Sequence, residues 1–229
     1  MSAHDEAPHF DGPSIAGGSA WGLDAVLRAP RTAPLSTSIG PVDEVAGGML
    51  PGEIWTVSGE AGRGVTSLIT VLTCGIATAA DVVIANGHVP TRTLAERLAE
   101  RAGGDSVRIS VTSWLRVPWL GDEEWSLGHA DVVLLDTWDE MWRPPHWERS
   151  PEQRIADARW LRELARRAGT AVVLTQRRPL GVPRTPIDAV FDDVADVRLE
   201  VRRSEQRGAA DLTVTSRRGA PWCGPVRVG

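Results

Sequence analysis

Short runs of apolar residues alternate with helix-like stretches through most of the 229-residue chain. A short apolar run is typical of a strand buried on both faces, whereas apolar positions three or four residues apart indicate a helix. The runs predict strands at Glu53–Ser58, Asp81–Ala85, Val107–Val111, Asp131–Asp136 and Ala171–Gln176. The helix-like stretches cover residues 66–80, 91–101 and 151–167. This alternation predicts an α/β fold with a mostly parallel sheet and helices on both faces.

The two ends of the chain depart from this alternation. Near the C-terminus, Val197–Val201 and Leu212–Thr215 are joined by a polar, glycine-containing stretch, which predicts a β-hairpin. The first residues are rich in Gly, Pro and Ser, and a short amphipathic helix is predicted over residues 21–28. We therefore expect a disordered or extended segment over residues 1–34 and one domain over residues 35–229.

The composition is ordinary for a globular protein, with 42% hydrophobic and 24% charged residues. No apolar run approaches the roughly 18 residues of a membrane span, and the N-terminus does not resemble a signal peptide. We expect a cytoplasmic protein without membrane contact. The formal charge of −5 argues against non-specific coating of nucleic acid, although it is compatible with a local basic patch.

A glycine-rich turn between the first predicted strand and its helix has the setting of a phosphate-binding P-loop. It fits the pattern G-x-x-x-x-G-K-[ST] except at the lysine, where Val65 stands, and the chain contains no lysine at all. Its glycines let backbone N–H groups converge on phosphate, and Thr66 would offer a hydroxyl to Mg²⁺. The predicted nucleotide-binding residues are Gly59, Gly62, Arg63, Gly64, Val65, Thr66 and Ser67. A glycine turn that serves packing alone is the alternative.

Further segments resemble the RecA/DnaB/RadA superfamily, above all the C-terminal ATPase domain of DnaB-type replicative helicases. The stretch TSIGPVDEVAGGMLPGE over residues 37–53 resembles the family's approach to the first strand. DVVLLD resembles the Walker B strand, LTQ ends in Gln176, and ADV begins at Ala195. DLTVTSRRGAP begins at Asp211 and resembles the family's last motif. The motifs follow one another in the family's order over residues 35–222 and imply a RecA-like P-loop fold.

The resemblance also implies roles for individual residues. Asp136 would act with Thr66 on Mg²⁺, and Gln176 would sense the γ-phosphate of ATP. Arg218 would reach across a subunit interface to the nucleotide of a neighbour. His88 stands where the family has its catalytic glutamate, so both a water-polarising role and a plain loop residue are compatible with it.

The sequence departs from the family's pattern mainly at the positions of its charged catalytic residues. Val65 replaces the lysine, His88 replaces the glutamate, and Ser216 lies where a second lysine belongs. Contacts of this kind to a transferring phosphoryl group are worth about 10³–10⁵ in rate. Arg63 and Arg217 are candidate substitutes for the lysine, although a planar guanidinium changes the geometry. We expect ATP or ADP with Mg²⁺ to bind weakly or not at all, and hydrolysis to be inefficient.

Two segments are candidates for contact with macromolecules. The resemblance implies that the segment after Gln176 is a DNA-facing loop. This segment contains Arg177, Arg178 and Arg184, which could contact phosphates. A solvated surface loop is the alternative. Six tryptophans lie between residues 114 and 147, where core packing, a protein interface and base stacking are alternatives.

The sequence leads to three hypotheses about function. The first is a degenerate RecA/DnaB-like accessory protein in DNA replication, recombination or repair, which acts with a RecA-family ATPase or with copies of itself. The second is an interaction scaffold that binds no nucleotide and uses the tryptophan-rich segment. The third is a working ATPase with altered catalytic residues.

Overall fold

A computed structural model of the protein describes several stretches of the chain. They cover residues 14–15, 18–19, 33–87, 89–104, 107–113, 130–137, 151–182, 190, 193–206 and 209–228. The chain divides into two compact units, Met1–Ala33 and Pro34–Gly229. In the first unit, strands β1 (Ser14–Ile15) and β2 (Gly18–Ser19) pair in antiparallel fashion. The helix predicted over residues 21–28 lies outside the described residues.

The second unit contains the remaining helices and strands. The helices are α1 (Gly40–Ala46), α2 (Val65–Ala77), α3 (Thr91–Ala102) and α4 (Pro151–Ala168). The strands are β3 (Ile54–Glu60), β4 (Val82–Asn86), β5 (Ile109–Ser113), β6 (Val132–Asp136), β7 (Ala171–Arg178), β8 (Val197–Arg203), β9 (Ala209–Ser216) and β10 (Gly219–Arg227). Among the described residues, no helix is both long enough and apolar enough to cross a membrane.

These strands form one sheet in the order β10-β9-β8-β3-β7-β6-β4-β5. Neighbours from β8 to β5 pair in parallel, and β9 and β10 add two antiparallel strands at the other edge. This confirms the predicted mostly parallel sheet and the hairpin of β8 with β9. Strand β10, which contains Pro221 and Pro225, was not predicted from the sequence. Because β10 pairs only with β9, its prolines lie at a sheet edge, where a missing N–H is tolerated.

The sheet is buried on both faces because its side chains alternate between two core layers. In β3, Trp55 and Val57 belong to the layer that contains residues of α1, α2 and α3. Ile54 belongs to the other layer, together with Leu161 and Ala165 of α4. The side chains of β6 are all buried, as its apolar run predicted. Helices therefore cover both faces, which confirms the predicted architecture.

Helix α2 packs closely against the segment that leads into α1. The Asp43 carboxylate holds this segment by accepting hydrogen bonds from Ser36 Oγ (2.7 Å), Thr37 N (2.9 Å) and Thr37 Oγ1 (2.7 Å). A Cβ atom at Gly75 of α2 would lie only 2.3 Å from the Thr37 carbonyl oxygen. Only glycine lets the helix approach the segment at this distance.

We predict that Gly75→Ala lowers the free energy of unfolding by about 1–3 kcal/mol, because the added methyl group forces α2 away from Thr37. Gly40→Ala is the matched control, since a Cβ atom there meets nothing within 4 Å. The control should be neutral or stabilising by up to about 1 kcal/mol. Urea unfolding of the two variants measures the difference, and equal stabilities would contradict the close packing of α2.

Candidate phosphate-binding site

The glycine-rich loop connects β3 to α2 at the carboxyl edge of the parallel strands. Gly62 and Gly64 have φ angles of 75° and 98°, a left-handed conformation that glycine adopts without steric cost. The Ala61 N–H donates to the Arg178 carbonyl at the end of β7 (2.8 Å). This hydrogen bond ties the loop to the neighbouring strand and fixes its position.

Several N–H groups of the loop and of the first turn of α2 have no hydrogen-bond partner among the described residues. Among the described residues, the N–H groups of Gly62, Gly64, Val65 and Thr66 donate to no carbonyl and no side chain. Unpaired N–H groups at a helix N-terminus attract anions, because the helix dipole adds partial positive charge there. The backbone of the loop therefore fits a phosphate group.

Val65, at the position of the P-loop lysine, is part of the hydrophobic core. Its side chain is buried, as is that of Val201 in β8. A Cβ atom at Gly59 would lie 2.7 Å from Val65 Cγ2 and 2.8 Å from the Val201 carbonyl oxygen. Packing alone thus requires glycine at position 59, and position 65 offers no charge to a phosphate.

Arg177 joins the loop to the Walker B position. Its Nη2 atom lies 3.0 Å from Thr66 Oγ1, 3.0 Å from Asp136 Oδ1 and 3.1 Å from Asp136 Oδ2. The two hydrogens of this nitrogen are therefore shared among three oxygens of α2 and β6. The side chains of Arg177 and Asp136 are only 9% and 3% exposed, so salt screens this ion pair weakly.

The register of β6 and β7 brings further polar groups to the same place. Leu135 pairs with Leu174, so Asp136 and Thr175 come next on the two strands and face the same side of the sheet. Thr175 Oγ1 donates to Asp136 Oδ1 (2.8 Å) and accepts from the Thr137 N–H (2.6 Å). Thr137 has a φ of 59°, which is rare for a β-branched residue, and the bond to Thr175 helps to hold it.

This arrangement does not fit the Mg²⁺ ion that the resemblance implies. Thr66 and Asp136, the predicted metal ligands, both direct oxygens at Arg177 Nη2. Mg²⁺ requires oxygens at about 2.0–2.1 Å in an octahedron, whereas a guanidinium nitrogen fills the space between these oxygens. Among the described residues, no group of three or more His, Cys, Asp or Glu side chains is placed to hold a metal ion.

Gln176 lies on β7, as predicted, whereas Arg177 lies on the same strand and not in the predicted loop. Gln176 is buried, and its side chain faces the opposite side of β7 from Thr175 and Arg177 because strand side chains alternate. Arg177 and Arg178 are the last two residues of β7 and not part of a loop. Arg177 is poorly placed for the contact with DNA that was predicted for it, because its guanidinium is buried against Asp136.

The positions of the remaining predicted residues say little about their roles. Arg63 lies in the loop, with Nε 3.4 Å from Glu60 Oε2, and Ser67 is exposed on α2. His88 and Arg184 lie outside the described residues, as do the six tryptophans between residues 114 and 147. Their roles stay predictions.

A polar cavity of about 600 Å³ flanks the loop. Its lining residues are Glu60, Arg63, Arg178, Glu200, Val201, Arg202 and Arg203. Glu200 Oε1 lies 3.5 Å from Arg178 Nη2 and 3.4 Å from Arg202 Nη2. Four of the lining residues are arginines and two are glutamates, so the arginines outnumber the carboxylates. Arg178 is thus the predicted DNA-binding residue whose position suits contact with a phosphate-bearing ligand.

Arg218 lies near the amino ends of the parallel strands, whereas the loop follows the carboxyl end of β3. Its Nη2 atom donates to the Gly48 carbonyl (2.7 Å) and to Glu53 Oε2 (3.1 Å), just before β3 begins. Since β3 spans roughly 20 Å, Arg218 does not reach the loop of its own chain. Arg217 lies at the same end of the strands, with Nη2 2.8 Å from the Asp193 carbonyl oxygen. The suggestion that Arg217 replaces the lysine is therefore wrong.

Comparison with known proteins supports the fold. The ATPase domain of G40P superposes with a TM-score of 0.66 over 89% of this chain and 91% of that chain, at 11% sequence identity. A DnaB-like replicative helicase, solved for its interactions with primase, gives a TM-score of 0.62 at 12% identity. That match covers 89% of this chain and 61% of the helicase chain. No protein-family model and no curated protein matches the sequence. The chain has the fold of RecA/DnaB-type ATPase domains, as the sequence predicted.

We predict that Thr175→Val lowers the free energy of unfolding by about 1–3 kcal/mol, because Asp136 loses a donor and the Thr137 N–H loses its acceptor. Thr73→Val is the matched control: Thr73 is also fully buried, but its hydroxyl bonds to none of the residues that the structure describes. That variant should be neutral or stabilising. Chemical denaturation compares the two, and equal losses would contradict the role given to Thr175.

Proposed function

We propose that this protein is a RecA/DnaB-type nucleotide-binding domain with little or no ATPase activity. It would serve DNA replication, recombination or repair through a partner ATPase or through copies of itself. The observation that carries this proposal is a glycine-rich loop whose N–H groups find no partner among the described residues, beside a buried valine. A backbone that holds phosphate without the charge needed for its transfer suits binding better than turnover.

The electrostatics of the site support weak catalysis. Phosphoryl transfer depends on positioning and on charge that stabilises the transition state. Val65 contributes no charge, and the oxygens of Thr66 and Asp136 already accept hydrogen bonds from Arg177. Loss of one charged contact to the phosphoryl group lowers the rate by about 10³–10⁵, so hydrolysis should be slow even where nucleotide binds.

Arg218 supports action across an interface. It lies too far from its own loop to contact a ligand there, and its guanidinium is paired with Glu53 at a partly exposed position. A phosphate group on a neighbouring molecule would compete with Glu53 for this guanidinium. The DnaB-like helicase of similar fold was solved for its interactions with primase, which makes a replication protein a reasonable class of partner.

The basic cavity beside the loop supports contact with DNA. Arg178, Arg202 and Arg203 line it, and arginines at such a surface contact the phosphate backbone without reading sequence. Because the chain as a whole is acidic, this contact would be local and sensitive to salt.

A scaffold that binds no nucleotide is the second candidate function. Gly59 favours it, because packing against Val65 and Val201 explains this glycine without any ligand. The two candidates differ in whether nucleotide stabilises the folded protein.

We predict that ADP or ATP raises the melting temperature of the wild-type protein by several degrees, while phosphate release from ATP stays near background. Ligand at 100 times its Kd adds about 2.7 kcal/mol to the stability of the folded state. Val65→Lys should raise ADP affinity by about tenfold or more, the contribution of one charged hydrogen bond. Val65→Met is the control, since it has similar length and no charge.

The result that would contradict nucleotide binding is the absence of a melting shift in both the wild-type and the Val65→Lys proteins. That result would favour the scaffold. Rapid, Asp136-dependent hydrolysis by the wild-type protein would instead favour an ATPase with altered catalytic residues.

A further inference from the structure

The proposed function does not explain why a buried arginine lies between Thr66 and Asp136. We call Thr66, Asp136, Thr175 and Arg177 the cation-site cluster. The oxygens that converge on Arg177 Nη2 come from one carboxylate and one hydroxyl, the kind of ligand that hard divalent cations prefer. The group at their centre is a guanidinium of the same chain.

The buried carboxylate of Asp136 holds Arg177 in place. Among the described residues, Arg177 is the only cationic partner within ion-pair distance of Asp136. If Arg177 left, a carboxylate that is nearly inaccessible to water would keep, among the described residues, only its bond from Thr175. Leaving a buried charge without its counter-ion is strongly unfavourable, so the arginine is a permanent member of the cluster.

We infer that Arg177 replaces the divalent cation, so that the site excludes Mg²⁺ and the loop takes its phosphate ligand as the metal-free anion. The exclusion of metal follows from the cluster alone, whereas the metal-free ligand rests on the proposed function.

The surrounding charge suits an anion without its metal. The arginines of the cluster, the loop and the cavity are Arg63, Arg177, Arg178, Arg202 and Arg203, and the carboxylates are Glu60, Asp136 and Glu200. Five guanidinium groups against three carboxylates leave a net positive charge that can neutralise the phosphates. In a site with bound Mg²⁺, the metal ion supplies part of this neutralisation.

Titration of the full chain with Mn²⁺, followed by electron paramagnetic resonance, tests the exclusion of metal without any nucleotide. We expect no Mn²⁺ to bind the wild-type cluster and one Mn²⁺ per chain to bind Arg177→Ala. This gained site should disappear in Arg177→Ala/Asp136→Asn. Binding of Mn²⁺ to the wild-type protein that Asp136→Asn abolishes would overturn the inference, as would an Arg177→Ala protein that folds and binds no Mn²⁺.

The stability of Arg177→Ala provides a second readout, because this variant leaves the Asp136 carboxylate unpaired. Mn²⁺ should raise its melting temperature by several degrees and leave the melting temperatures of the wild-type protein and the double variant unchanged. An Arg177→Ala protein that stays unfolded in Mn²⁺ counts against the inference, since an ion that the arginine replaces should restore the charge pair.

Binding of ADP in EDTA and in Mg²⁺ tests the ligand. The wild-type protein should bind ADP more tightly in EDTA than in Mg²⁺, because Mg²⁺ draws ADP into its metal complex and lowers the concentration of the metal-free anion. A requirement for Mg²⁺ would overturn the inference. If ADP binds in neither buffer, the proposed function fails, and the Mn²⁺ titration still decides whether Arg177 replaces the cation.

Discussion

The ion pair between Asp136 and Arg177 is the contact on which the rest of the site depends. It joins the ends of β6 and β7 and, through the Thr66 hydroxyl, the first turn of α2. Burial makes each charge costly without the other, so neither side chain is free to serve a different partner. Thr175 extends the network to the backbone of Thr137, whose left-handed conformation needs the support. The carboxyl edge of the central strands is thereby fixed by side chains of the protein itself.

This network lies beside a glycine-rich loop that has an apolar residue at the position of the P-loop lysine. In a P-loop the lysine contacts the phosphates directly, and Mg²⁺ comes and goes with the nucleotide. Here Val65 fills the core beneath the loop, and a positive charge lies beside Asp136, on Arg177 of the neighbouring strand. A guanidinium that is covalently part of the chain cannot leave with a ligand. Arg218 is engaged in a comparable way by Glu53 at the opposite edge, so two groups suited to phosphate chemistry are held by partners within the chain.

The fold could be predicted because each core element has a clear local signal. DVVLLD is apolar along its length because β6 is buried on both faces, and the alternation of strands with helices defines the parallel sheet. The strand β10 could not be predicted in the same way, since only its place at the sheet edge allows its prolines. The site was predicted in part: Thr66 and Asp136 do come together, but the partner between them was assigned to a DNA-facing loop. Spacing along the chain does give Thr175 and Arg177 the same face of β7, yet only the pairing of β6 with β7 shows that this face meets Asp136.

The position of the Arg177 guanidinium in the presence of a competing metal tests this account most directly. A crystal structure of the full chain grown with ADP and MnCl₂ would locate both the side chain and any Mn²⁺, the latter from its anomalous scattering. We expect Arg177 Nη2 within hydrogen-bond distance of Thr66 and Asp136, and no anomalous peak between them. An Mn²⁺ ion bound by Thr66 and Asp136, with Arg177 displaced from the cluster, would contradict it.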